Sequence, residues 1–257
     1  MTPLLPPALT RWTAVWRRNA RVWTKLLGPA VLGNLGEPVL YLFALGYGLG
    51  RLVGDVQGMS YIQFLASGIV CSSVMFTASF EGLYSAFTRM AVQRTWDAML
   101  TAPLGVADIV AGEALWAGSK ALLSAVTILL VAAALGAVAG WQALLVLPVV
   151  LLLGTCFAAA ALVVTALSPS YDFFMYYQTL LLTPMLLLSG VFFPLETMPP
   201  WVVVAAQAFP LHHGVALVRP LMTGTPLTGA ELHLLALVFW AVAAGALAHL
   251  LMRRRLL

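Results

Sequence analysis

Charge is scarce in this sequence. Its 257 residues include 13 Lys and Arg and 9 Asp and Glu, so only 9% are charged, where a soluble domain carries about 25%. That excludes a soluble globular domain, because so few charges cannot coat the surface of a 27.5 kDa particle. Cysteine is scarce as well. Cys71 and Cys156 lie in apolar runs without CxxC spacing and read as small packing residues. The sequence motifs of hydrolytic and nucleotide chemistry are missing: there is no HExxH, no GxSxG and no GxxxxGK followed by Ser or Thr. The stretch from Gly112 to Lys120 has glycine and a Ser-Lys pair at the wrong spacing. Gly46, Gly48, Gly50 and Gly54 fit no dinucleotide fingerprint and read as helix packing or a loosened helix end. His212 and His213 are adjacent, about 100° apart on a helix, which makes shared metal ligation awkward. They read as structural or interfacial residues. No catalytic residue, cofactor site or metal site is expected in this chain.

What is abundant is apolar surface. The hydrophobic fraction is 62% and the mean hydropathy is +0.97, which also excludes a disordered chain. The pI is about 9.3, but the basic residues sit at the chain ends and at the borders of apolar runs, so nucleic acid is not an expected partner. The expected class is an all-α polytopic membrane protein. Six runs suit helical spans of about 20 residues: 31–50, 60–86, 108–139, 143–167, 172–193 and 232–252. A seventh apolar stretch, 201–209, is bracketed by Pro199-Pro200 and Pro210 and is too short to span. It is expected to form a re-entrant or interfacial hairpin over 194–220 on the outer side, because broken backbone is tolerated where protein or a cavity shields it.

The ends orient the chain. The N-terminal stretch is broken by Pro3, Pro6 and Pro7 and does not read as a signal peptide. Over 9–27 a helical wheel places Trp12, Trp16 and Trp23 within about 40° of one another, with Arg11, Arg17, Arg18, Arg21 and Lys25 on the opposite side. That pattern suits a helix lying on an anionic leaflet, with Trp12, Trp16, Trp23, Arg18 and Lys25 at the surface. The plainer reading is a solvated helix packed on a protein core. Arg253, Arg254 and Arg255 follow the last span and mark the cytoplasmic side. Both ends are then inside, which requires an even number of spans. Ten cations fall in inner segments and only Arg51 and Arg219 in outer ones.

The segment FTRMAVQRTWDAMLTAPLG, 87–105, carries a short helix between the second and third spans. Thr95 is expected to cap it, Asp97 to sit in its first turn and Pro103 to close it. Trp96, Met99 and Leu100 form one apolar face. Two readings stand: the face lies on the membrane or on span ends, or it docks a soluble partner.

Ionisable residues in apolar runs must face protein or water. Glu37, Glu81 and Glu113 lie at span ends, with Lys120 two turns beyond Glu113 on the same helix face. They form either a cluster holding the second and third spans together or a polar substrate gate on the cytoplasmic side. Phe76, Phe80, Tyr84 and Phe87 recur at helical spacing, and Phe173, Phe174, Tyr176 and Tyr177 open the fifth span on the same side. They read as an inner aromatic belt or as faces for sugar rings and acyl chains.

Several ordered motifs resemble one family. LGNLGEPVLYLFALGYGLG (32–50), FEGLYSAFTRMAVQRTWDAML (80–100), VVTALSPSYDFFMYYQTLLLTPMLLLSG (163–190), FFP (192–194) and PLHHGVALVRPLMTG (210–224) look like the permease subunits of type-2 ABC exporters. Within that family they look most like exporters of nodulation factors, which are lipochitooligosaccharides. The resemblance implies six spans, a surface helix at the N-terminus, an outer re-entrant hairpin and location in a bacterial inner membrane. It implies a homodimer docked on two copies of a separate ABC ATPase, which carries the ATP and magnesium. It implies ATPase coupling through Arg94, Thr95, Trp96, Asp97, Met99, Leu100 and Pro103. The substrate expected from it is an amphiphilic glycolipid, with a polysaccharide, lipid or hydrophobic drug as the alternative and an ATPase-independent channel or sensor as the remote one; membrane lipids are expected partners, and Glu37, Phe80, Glu81, Tyr84, Glu113, Lys120, Tyr176 and Tyr177 are the candidate substrate pathway or gate.

Overall fold

A computed structural model describes residues 10–26, 28, 36 and 39–257. Helix α1 is Trp12–Trp23, followed by a single 3-10 turn, and α2 is Val39–Val53, π-helical over Leu42–Leu49. Two short antiparallel strands, β1 (Asp55–Val56) and β2 (Met59–Ser60), lead into α3, Tyr61–Val92. Then follow α4 (Thr95–Leu100), α5 (Val106–Ala134), α6 (Trp141–Leu167), α7 (171–188), α8 (Pro200–Ala206), α9 (Pro210–Thr223) and α10 (Ala230–Leu256).

Local chemistry sets these boundaries. Ser60 starts α3: its backbone N–H donates to Gln63 Oε1 at 3.2 Å, one half of a capping box. Gly105 N–H donates to Asp108 Oδ2 at 2.9 Å and starts α5. Two residues past the end of α5, Gly136 adopts φ 73°, a left-handed turn that costs glycine nothing. Open space surrounds Gly136 in this chain. Pro200 and Pro210 stand at the first positions of α8 and α9, where a missing N–H is harmless, and the two helices meet at 90°.

Among the described residues four helices are long and apolar enough to cross a membrane, α3, α5, α6 and α10, and the bent α8–α9 pair makes five if it counts as one span. These four overlap the runs expected at 60–86, 108–139, 143–167 and 232–252. The first expected span lies partly outside the described residues, and its described part is the shorter apolar helix α2. The fifth holds α7, which passes from 3-10 to α to π and back to α before stopping at Leu188.

Helix α3 is the central element, with 78% of its most apolar window buried, against 17% for α10. The outer face of α10 presents Leu235, Val238, Phe239 and Val242, a surface suited to lipid and not to water. Small residues set the closest approach. A Cβ on Gly118 of α5 would sit 2.6 Å from Thr155 Oγ1 of α6, so nothing larger than glycine fits that crossing.

Helix α1 packs on protein. Val15 and Asn19 are buried, Trp16 Nε1 donates to Ser119 Oγ at 3.0 Å, and Trp16 and Trp23 both make T-shaped contacts with Trp116 on α5. A Cβ on Gly112 would collide with Val15 and with the carbonyl of Trp12. The tryptophan face expected at headgroup depth thus turns largely toward α5, while Arg17, Arg21 and Lys25 remain exposed. A wheel shows that an apolar face exists, and α5 is what covers it.

Candidate functional site

The acidic residues singled out in the spans converge on one arginine. Arg89, on the last π-helical turn of α3, donates from Nη1 to Glu81 Oε1 at 2.9 Å. Its Nε and Nη2 reach the two oxygens of Glu113 on α5 at 3.0 and 2.5 Å. Lys120 Nζ closes the lattice on Glu81 Oε2 at 2.9 Å. Two indoles complete the carboxylates: Trp116 Nε1 donates to Glu81 Oε1 at 3.0 Å and Trp96 Nε1 to Glu113 Oε1 at 3.2 Å. Both glutamates are buried. Two acids and two bases cancel, and the bidentate Arg–carboxylate fork fixes their geometry. The lattice is a joint between α3, α4 and α5, and it has no free acid or base to move a proton.

Trp96 makes α4 part of that joint. It is fully buried, and Met99 and Leu100 pack against the core. Of the two readings of this apolar face, packing on span ends or docking a partner, the structure places Trp96, Met99 and Leu100 inward against the span ends. Exposed instead are Arg94, Asp97, Ala98, Thr101 and Pro103. Helix α4 begins at Thr95 with Arg94 in the capping position, so Thr95 is not the cap, and Asp97 lies in the first turn as expected. Arg94 takes φ 50°, ψ 31°, a left-handed turn that is uncommon away from glycine and folds α4 back on α3.

Beside the joint a cleft of about 300 Å³ opens between α1, α3 and α5, lined by Arg18, Asn19, Trp23, Glu81, Ser85, Thr88, Arg89, Gln93, Trp116 and Lys120. Arg18 supplies the cation that the lattice does not neutralise, and its Nη1 donates to Asn19 Oδ1 at 2.9 Å. Burial and the neighbouring Arg89 charge lower the Arg18 guanidinium below its ordinary value, against an opposing pull from Glu113. The cleft therefore has a positive wall and two indole walls, surroundings that suit an anionic or hydroxyl-rich group.

On the adjoining surface α3 and α7 share an aromatic face. Tyr84 stacks on Tyr171 at 6.1 Å and meets Phe80 and Phe174 edge-on. Gln178 Nε2 donates to the Tyr84 hydroxyl at 2.8 Å, and the Tyr171 hydroxyl pairs with Thr88 Oγ1 at 2.7 Å. Phe80, Tyr84 and Tyr176 are exposed, whereas Tyr177 is buried behind them. Flat rings with hydroxyl and amide edges offer stacking and hydrogen bonds on one surface.

Of the pathway residues expected from sequence, the structure brings Glu81, Glu113 and Lys120 into the joint and Phe80 and Tyr84 onto the aromatic face; Tyr176 is exposed beside Phe173, apart from that face. Glu37 lies outside the described residues. Sequence reasoning gave Arg89 no role beyond its positive charge and passed over Trp116. Arg89 follows Glu81 by eight residues on an apolar helix, and a buried acid asks for such a partner.

The sequence model of the ABC-2 type transporter family matches residues 10–223. The chain is 49% identical to Nodulation protein J of Rhizobium leguminosarum bv. trifolii and 46% identical to that of Rhizobium meliloti strain 1021, in each case over 98% of this chain and 97% of the relative. It is 32% identical to the inner membrane transport permease YadH of Escherichia coli K12 over 39% of this chain and 38% of the relative. With four to five helices long and apolar enough to cross a membrane among the described residues, and matches of this extent, the chain belongs to the ABC-2 type transporter family, the membrane permeases that work with an ABC ATPase.

Proposed function

We propose that this chain is the permease half of an exporter that moves an acylated oligosaccharide, of the lipochitooligosaccharide class, outward across a bacterial inner membrane. Two copies form a homodimer on two ATPase subunits, which bind the ATP and magnesium. Both chain ends are cytoplasmic, six segments cross the membrane, and the α8–α9 hairpin re-enters from outside. Near-full-length identity of 46–49% to Nodulation protein J relatives is the observation that carries the substrate class.

The geometry supports the same reading. An amphiphile can leave its acyl chain in lipid while its sugars pass along protein. Aromatic rings edged by Gln178, Thr88 and tyrosine hydroxyls suit sugar faces, and the Arg18 cleft suits a polar headgroup at the cytoplasmic mouth. A twofold axis beside α3 and α7 would face one aromatic surface with another, and closed twofold pairs are the commonest assembly. The exposed edge of α4 is the surface offered to the ATPase, and Trp96 links that edge to Glu113.

Vesicles holding the chain and its cognate ATPase test this. Lipochitooligosaccharide is expected to stimulate ATP hydrolysis. Stimulation by a soluble cationic drug alone would overturn the substrate class while leaving an exporter, and a complex with one permease per two ATPases in native mass measurement would overturn the homodimer.

A further inference from the structure

His212 and His213 open α9, and the chain's return through α10 brings His233 against them. The adjacency that made shared ligation awkward for two histidines is resolved by the third, which approaches from another helix. One nitrogen from each ring lies within 4.8 Å of the other two. The ring centres are 5.4, 5.8 and 5.1 Å apart. Three imidazoles on one tetrahedral ion, with metal–nitrogen bonds of roughly 2.0–2.1 Å, place their ring centres about 5.3 Å apart. The observed triangle has that size.

The hydrogen bonding prepares the ligand atoms. His213 Nε2 lies 2.9 Å from the Gln207 carbonyl, which can only accept, so Nε2 carries the proton and Nδ1 presents a lone pair. A carbonyl holding the far nitrogen is the usual support of a metal-bound histidine, fixing both tautomer and ring orientation. Nδ1 of His213 accepts from Nδ1 of His233 at 2.8 Å, so an ion held by this pair takes the place of the His233 Nδ1 proton, which is released on binding. Two nitrogens on one tetrahedral ion stand about 3.3 Å apart, so binding needs a shift of only about half an ångström. His213 is buried and the other two rings are half-buried, which limits access to small ions.

We infer that His212, His213 and His233 form a site for a borderline transition-metal ion of the zinc class, tying the α8–α9 hairpin to the first turn of α10. Imidazole ligands favour such an ion over magnesium or calcium. Three protein ligands leave one position for water or another donor. The ion would brace the hairpin against α10, so metal supply would set how freely this part of the molecule moves.

The test uses the full chain purified in detergent through a histidine-free tag, stripped with chelator and titrated with cobalt(II), then with zinc. About one equivalent of cobalt(II) per chain is expected, with the visible absorption of tetrahedral coordination, displaced by zinc. His212→Ala and His233→Ala are each expected to weaken binding about 10–100-fold, while His249→Ala, elsewhere on α10, leaves it unchanged. Uptake below about half an equivalent by the wild-type chain, or wild-type affinity in His233→Ala, overturns the site. The wild-type titration decides the matter even if one variant fails to fold.

Discussion

The two ends of α3 each engage an arginine, and they do so by opposite means. Near its end, Arg89 meets carboxylates on α3 and α5, and the group is electrically closed. Near its start, Ser67 and Phe64 receive Arg219 from α9. Its Nε donates to Ser67 Oγ at 3.0 Å, its Nη2 to the Gly190 carbonyl at 2.7 Å, and its guanidinium lies 3.7 Å over the Phe64 ring. No acid is paired to it by contact among the described residues. Arg219 serves the Gly190 carbonyl, in the turn after α7. Arg255 does the same for α6, donating to the carbonyls of Thr165, Ala166 and Ser168. Neutralised charge makes a joint that is costly to open, while a cation on neutral carbonyls ties down a broken segment that can be released more cheaply.

The comparison breaks most readily at Arg89. Arg89→Met leaves two buried carboxylates with Lys120 alone and is expected to cost roughly 3–5 kcal/mol, read as a drop in thermal midpoint in detergent. Adding Glu113→Gln to that variant should recover part of the loss; wild-type stability in the single variant contradicts the joint. Trp96→Ala comes next, at roughly 3 kcal/mol, because it opens a cavity and removes a donor from Glu113. Asp97→Lys, on the exposed edge of α4, should hold stability within about 0.5 kcal/mol yet reduce recovery of the ATPase with the permease. If instead the permease melts normally without Trp96, α4 is not built into the core as described. Arg219→Lys should have a modest effect on stability, about 1 kcal/mol, since an ammonium cannot reproduce the fork to Ser67 and Gly190. Limited proteolysis near 190–210 is its sharper readout, and unchanged cleavage there would remove Arg219 as the hairpin's tie.

Much of this architecture was legible beforehand. Long apolar runs gave α3, α5, α6 and α10, and prolines bracketed the hairpin helices. The cost of a carboxylate in hydrocarbon grouped Glu81, Glu113 and Lys120. What stayed illegible was the identity of the surface that covers each apolar face. The pattern of Trp12, Trp16 and Trp23 is the same whether lipid or α5 lies opposite, and Trp96, Met99 and Leu100 read the same as a docking face or as core. Periodicity measures an angle about one helix axis and carries nothing about the neighbour. The meeting of His213 with His233, twenty positions later, depends on the chain turning back through 224–229, which no local spacing encodes.

The central claim is that the exposed edge of α4 faces the ATPase while the hairpin faces outward. Cys71 and Cys156 are buried, so a single cysteine added at the surface becomes the reactive one. Ala98→Cys should cross-link to the ATPase and resist a membrane-impermeant maleimide applied to intact cells, and Thr197→Cys should react with that reagent and form no cross-link. Labelling of Ala98→Cys from outside, or an ATPase cross-link from Thr197→Cys, would contradict the claim.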